Sequence, residues 1–271
     1  MRDTECIEFL QWCLPHMSMR WVGFRRVHKQ VCKRLQRRLR ELGLVDLKAY
    51  RRYLEQHRVE WHTLDHLCQI TISRFYRDRV VFGQLSDEVL PELAERALSH
   101  ARTELRCWSI GCASGEEPYS LALLWHFALA PHYPSLRLEI CASDINTQLL
   151  ARAAKACFSA GSIKALPPDW SAQAFAQRGQ LYCLKPMWRD AIEFIEQDIR
   201  HAQPPGPFDL ILCRNLVFTY YDDPLQRRLL DAMAARLRPG AALVVGAHEA
   251  LPARQSSFQP WDGLRFIYRK A

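Results

Sequence analysis

From Leu105 onward, short apolar runs alternate with stretches of helical pattern, and this alternation constrains the fold more than any other feature of the chain. The apolar runs are Leu105–Ile110, Arg137–Ser143, Ile192–Glu196, Asp209–Cys213, Ala242–Gly246 and Arg265–Tyr268. Between them, Glu117–Leu129, Thr147–Ala156 and Asp223–Leu237 read as helices, the last closed by Pro239–Gly240. Strands alternating with helices build a mostly parallel sheet with helices on both faces. Asp209–Cys213 is nearly all apolar, as a strand covered on both faces should be. The expected fold class is therefore α/β, with a doubly wound, mostly parallel sheet over residues 96–271. The stretch from Ser159 to Pro186 breaks the alternation with Pro167, Pro168 and Pro186 and one strand-like piece, Leu181–Leu184. It reads as a small subdomain inserted at about 159–190.

Residues 1–95 have a different texture and read as a small all-α domain with a linker helix. Val27, Val31, Leu35, Leu39 and Leu42 form one apolar stripe at helical spacing, and Gly43 ends that helix. Further helices are expected at Asp46–Gln56, Glu60–Cys68 and 86–101. The charge is placed here too. The chain of 271 residues carries a formal +8, yet residues 20–58 alone hold 13 Lys/Arg against 3 Asp/Glu. The rest is close to balance, so one basic helical face is expected to meet an anionic partner. Nucleic acid is not expected, because the segment lacks interleaved aromatics and a helix-turn-helix pattern. No window approaches the roughly 18 apolar residues of a membrane helix. The start carries Asp3, Glu5 and Glu8, where a secretory signal would be basic. A cytoplasmic, monomeric protein is expected. The ten cysteines include no CxxC pair and read mostly as small buried hydrophobes of a reducing compartment, with no metal site among them.

In an open α/β sheet the ligand lies at the carboxyl ends of the strands. Three segments stand there. The first, Gly111-Cys112-Ala113-Ser114-Gly115-Glu116-Glu117, is a glycine turn followed by two carboxylates and no lysine. A pyrophosphate would be repelled, whereas a ligand carrying sulfonium and ammonium charge would be welcomed. A tight turn with acidic residues in a helix's first turn is the plainer alternative. The second is Asp144 after the second strand, placed to accept hydrogen bonds from ribose hydroxyls or else to cap a helix. The third is Cys213-Arg214-Asn215 after the fourth strand, with Asp198 after the third; a site wall and simple turns both stand as readings.

These segments resemble the chemotaxis-receptor methyltransferases of the CheR family. The resemblance runs from about Phe24 to the end. It is carried by WSIGCASGEEPYSLAL at 108–123, ASDINTQLLARA at 142–153, FDLILCRNL at 208–216, and Leu237–Gly240 leading to Gly246-Ala247-His248-Glu249. It implies a Rossmann-like class I methyltransferase domain preceded by a helical domain, with S-adenosyl-L-methionine as cofactor. The implied reaction is O-methylation of glutamate side chains on a chemoreceptor or a similar acidic helical signalling protein. Another protein, a small molecule, or a purely regulatory cofactor-binding role are the alternatives.

By matched position, Thr71, Ser73 and Arg77 would line the cofactor site, with Arg77 also near the acceptor carboxylate. Glu117 would hold the methionine part with Glu116 beside it, Asp144 the ribose, and Asp198 and Ile199 the adenine. Cys213, Arg214 and Asn215 would complete the wall, and Gly111 would let the backbone approach. Arg77 and Tyr220 are the expected catalytic residues. Lys29, Lys33, Arg34, Arg37 and Arg38 are expected to dock the substrate. The chain departs from the family pattern at Ser73 (usually Thr), at Tyr76 (usually Phe), and by one extra residue between Asn215 and Asp222.

Overall fold

A computed structural model describes residues 2–271. The chain divides into two compact units. One comprises the chain up to Thr71 together with Thr219–Leu225; the other comprises Ile72–Phe218 and Gln226–Ala271. Residues 72–95, grouped with the helical segment on sequence, pack within the second unit.

The first unit is helical: Asp3–Cys13, His28–Glu41, Leu47–Gln56 and Glu60–Cys68. The apolar stripe of the basic helix turns inward, with Val31, Leu35 and Leu39 buried. Asp46 starts the next helix by accepting the Ala49 N–H at 2.7 Å, which satisfies one orphan donor of its first turn. Inside this unit lies a charged cluster. Glu60 is buried, and Arg38 grips it with two parallel hydrogen bonds, Nε to Oε1 at 2.9 Å and Nη2 to Oε2 at 2.8 Å. The Tyr50 hydroxyl donates to the same carboxylate at 2.8 Å. Burial opposes ionisation of Glu60, but the Arg38 and Tyr50 hydrogen bonds outweigh it and hold the carboxyl below its ordinary value. The returning segment is held by Met19 pairing with Tyr221 and by the Arg20 N–H donating to the Tyr220 carbonyl at 2.8 Å.

The second unit is built on a seven-stranded sheet in the order β6-β2-β1-β7-β8-β10-β9. Its strands are β1 (Glu104–Ile110), β2 (Arg137–Asp144), β6 (Ile192–Glu196), β7 (Phe208–Cys213), β8 (Leu237–Val245), β9 (Phe258–Pro260) and β10 (Ile267–Lys270). The pairs from β6 to β8 are parallel, and β10 runs antiparallel to β8 and β9. Every β7 residue is buried, which explains its unbroken apolar run. The chain leaves β1 toward β2 and β6 and then returns to β7 on the other side. The switch point, where such sheets bind ligands, is therefore between β1 and β7. The inserted segment forms a second, three-stranded antiparallel sheet of β3 (Cys157–Ser159), β4 (Phe175–Arg178) and β5 (Leu181–Leu184), in the order β3-β5-β4.

Three sequence expectations are corrected. Pro239–Gly240 does not stop a helix; the helix ends at Ala234 and both residues lie inside β8, where the pairing with β7 shifts register. Proline lacks an N–H and Gly240 takes a φ of +71°, so the pair makes an irregular strand entry. The short strands β3, β4 and β9 carry no alternation long enough to read. The cysteines are not all thiols: Cys6 pairs with Cys32 across two packed helices, and Cys157 with Cys183 across β3 and β5. Helix packing and strand register bring together residues that the sequence spacing does not connect. Among the described residues no helix is long and apolar enough to cross a membrane, and no group of side chains is arranged to hold a metal.

Candidate active site

The loop after β1 turns sharply into the helix Glu116–Leu124. Gly111 and Gly115 adopt φ of +68° and +91°, which only glycine takes without strain. A Cβ on Gly111 would also sit 2.7 Å from the Leu216 side chain, so this glycine serves packing against the β7 loop. The Gly111 and Cys112 N–H groups donate to the Ser143 carbonyl at 2.8 and 3.0 Å, joining the ends of β1 and β2. Asp144, at the end of β2, accepts the Ala113 N–H at 2.8 Å and the Asn146 N–H at 2.9 Å. The helix cap is supplied by Asn146, whose side chain accepts the Leu149 N–H. Asp144 is thus relieved of capping and faces the loop. Burial pushes its carboxyl above the ordinary value, against backbone N–H groups that pull it down.

Two carboxylates open the helix with opposite surroundings. Glu116 is buried, and its oxygens accept hydroxyls from Ser114 at 2.9 Å and Ser162 of the insertion at 3.2 Å. Glu117 accepts the Ser109 hydroxyl at 2.8 Å and Arg214 Nη1 at 3.1 Å. The Arg214 side chain is 2% exposed and also donates Nη2 to Asp78 at 2.7 Å and to the Arg77 carbonyl at 2.6 Å. Its Nε is buried without a partner. Arg77 donates Nη2 to Asn215 Oδ1 at 3.2 Å and Nη1 to the Ile72 carbonyl at 3.0 Å. Glu249 accepts the backbone N–H of Asn215 and of Gly246.

The backbone is strained in the same place. Tyr76, Asp78, Ala113 and Asn215 all have φ between +50° and +63°. Each such residue costs on the order of 1–3 kcal/mol and persists only when its surroundings over-determine it.

Four carboxylates (Asp78, Glu116, Glu117, Asp144) belong to this region against two guanidiniums (Arg77, Arg214). This donor set fits a cationic ligand with a diol to be recognised, and it would repel a polyphosphate. A sequence model described as "CheR methyltransferase, SAM binding domain" matches residues 71–267. The chain belongs to the CheR methyltransferase family. Among its relatives, a chemotaxis protein methyltransferase of Vibrio cholerae is 32% identical, over 82% of this chain and 78% of its own. One of Escherichia coli is 33% identical, over 82% and 77%. An uncharacterized 104.1 kDa protein of Rhodobacter capsulatus is 32% identical over 87% of this chain, which spans only 25% of that longer protein.

Within this CheR domain Arg77, Glu117, Arg214 and Asn215 form one hydrogen-bonded cluster, while Gly111, Glu116 and Asp144 are held around the loop after β1 by separate bonds. Cys213 is fully buried, and burial pushes its thiol well above the ordinary value, so its side chain belongs to the core. Asp198 is gripped by Arg200, with Nη2 to Oδ2 at 2.8 Å and the Arg200 N–H to Oδ1 at 2.9 Å. Burial opposes its ionisation, and Arg200 more than compensates, holding it below the ordinary value. Ile199 beside it is buried. Ser73 is half-buried, two residues before the buried Phe75. Thr71 and Tyr220 belong to the first unit, where the Tyr220 ring packs on Phe24 at 5.0 Å.

On the basic helix, Lys29, Lys33 and Arg37 are exposed. Arg34 and Arg38 are not free to dock a partner: Arg34 donates to the Leu67 and Gln69 carbonyls at the end of helix Glu60–Cys68, and Arg38 holds Glu60. Sequence reasoning missed Ser109, Asp78, Ser162 and the role of Glu249. Asp78 was legible as the acid after Arg77; Ser162 gave no signal, being one small residue in a weakly matching insertion.

The raised Asp144 carboxyl predicts a pH dependence. Protonation removes an acceptor from the loop that joins the ends of β1 and β2. Affinity for S-adenosylhomocysteine should be flat at alkaline pH and weaken as pH falls, starting at a higher pH than an ordinary aspartate would give. Its contribution to folding has the opposite sign: a carboxyl whose folded value is raised gains stability as pH falls. Calorimetric titration as a function of pH checks the first effect, and Asp144→Asn should flatten it.

Proposed function

We propose that this chain methylates glutamate side chains of a chemoreceptor or similar acidic helical signalling protein, forming methyl esters. The observation that carries the reading is the carboxylate-rich loop after β1, tied through Glu117 to Arg214 and through Asn215 to Arg77. S-adenosylmethionine, when bound, supplies an electrophilic methyl group on a sulfonium. Asp144 would accept the ribose hydroxyls, and Glu117 would face the ammonium group. A glutamate acceptor has a pKa near ~4.3, so it is ionised at neutral pH and needs no general base. The chain's task is to orient that carboxylate and exclude water, and positioning alone supplies roughly 7–11 kcal/mol. Arg77 is the orienting cation. Lys29, Lys33 and Arg37 offer the exposed cationic face for an acidic helix. The proposed compartment is the cytoplasm.

Incubating the protein with labelled methyl donor and receptor-bearing membranes tests the reading. Base-labile label on glutamates supports it; stable label, or label on small molecules only, refutes it. In the same assay Arg77→Ala is expected to lose about tenfold to 100-fold in rate while the melting temperature holds. Full activity in that variant would remove Arg77 from the site.

A further inference from the structure

The turn after β8 carries a buried carboxylate that the proposed reaction does not use. β7 and β8 stay paired as far as Cys213 and Val245. Asn215 stands two residues past the end of β7, and Gly246 one past the end of β8. Oε2 of Glu249 accepts the N–H of both, at 2.7 and 2.6 Å, so one oxygen ties the two strand ends together. Glu249 is 6% exposed, and its own N–H closes the turn on the Gly246 carbonyl at 2.9 Å. A side chain on Gly246 would force these groups to move: a Cβ would lie 2.8 Å from Glu249 Oε2 and 3.0 Å from the Asn215 amide. Asn215 sits at φ +57°, a left-handed conformation that asparagine tolerates better than most residues with a side chain. The hydrogen bond on its N–H adds to that preference and anchors the residue to the β8 turn. Its amide oxygen in turn accepts Arg77 Nη2.

We propose that Glu249 is a positioning residue for the cofactor wall: it fixes Asn215 in the left-handed conformation and, through Asn215, aims Arg77. The inference rests on the methyltransferase reading above. What matters is an acceptor at this point, not a negative charge. Glutamine offers a carbonyl oxygen at the same reach, aspartate keeps the charge but is one methylene short, and alanine leaves two buried N–H groups without an acceptor.

The test is calorimetric binding of S-adenosylhomocysteine to the wild type, Glu249→Gln, Glu249→Asp and Glu249→Ala, with amide hydrogen exchange at Asn215 and melting curves on the free proteins. Glu249→Ala and Glu249→Asp are expected to lose about tenfold or more in affinity and to speed exchange at Asn215, while Glu249→Gln recovers affinity to within about threefold of wild type. If the alanine variant does not fold, the Asp and Gln pair decides. Glutamine as impaired as aspartate would make the charge the cause and overturn the proposal. So would unchanged binding and slow Asn215 exchange in both the Ala and Asp variants. Absence of binding by the wild type would sink the methyltransferase reading and this inference together; normal wild-type binding with insensitive variants would sink only this one.

Discussion

Replacing Arg38 by alanine is expected to destabilise the helical unit by about 3–5 kcal/mol, the cost of stranding a buried carboxylate. Glu60 is only 6% exposed, and Arg38 and the Tyr50 hydroxyl are its hydrogen-bond partners. The same argument fixes the sign of the rescue. An apolar replacement of the whole cluster, Arg38→Met with Tyr50→Phe and Glu60→Leu, removes the stranded charge and should recover most of the loss. Chemical denaturation with hydrogen exchange in helix Glu60–Cys68 reads both variants. A wild-type-like Arg38→Ala would show that the ion pair is dispensable. The pH dependence follows from the depressed Glu60 value: the contribution is full above the unfolded carboxyl range and lost as pH falls through the folded one. This bears on function, because loss of methylation in Arg38→Ala would report unfolding, whereas Lys29→Glu or Arg37→Glu would report docking.

Much of the fold was legible because the responsible signals are local. The helix Glu60–Cys68 and strand β5 have their expected bounds, and β1, β2, β6 and β7 fall within a residue of theirs. An apolar run bounded by turn residues needs no distant information. What stayed hidden depends on packing. The edge strands β3, β4 and β9 have three or four residues, too few for a period. Pro239–Gly240 is a stop signal in isolation and becomes a strand entry only because β7 supplies a neighbour. The site divides in the same way. Glu117, Asp144 and Arg214 were legible from their places at strand ends. Ser109, which donates to Glu117, and Ser162, which donates to Glu116, were not, because a short hydroxyl acquires a role only from what it touches. Basic residues on one helix face look equivalent in sequence, yet Arg34 and Arg38 are spent inside the unit while Lys29, Lys33 and Arg37 are exposed.

Arg214→Ala is the second large effect, and two arguments compete over its sign. Coulomb's law alone says that deleting a cation from a site with excess carboxylates should tighten binding of a cationic ligand. The geometry says the reverse. Arg214 holds Glu117 and Asp78 in place and braces the Arg77 carbonyl, with a side chain almost wholly buried. Each charge-assisted hydrogen bond contributes about 1.5–3 kcal/mol, and several are lost at once. Asp78 sits at a φ of +63° and Tyr76 at +51°, conformations that need this bracing. Released, the carboxylates repel one another and the segment 76–78 relaxes to ordinary backbone. The loss of preorganisation should therefore win, lowering S-adenosylhomocysteine affinity by about 100-fold in Arg214→Ala. Arg214→Lys separates the two terms, because it keeps the charge but cannot fork to three acceptors. It should lose about tenfold. Titration of both variants against wild type decides: tighter binding in the alanine variant would mean that the guanidinium only dampens the field, whereas graded loss from Arg to Lys to Ala means that its fork builds the site.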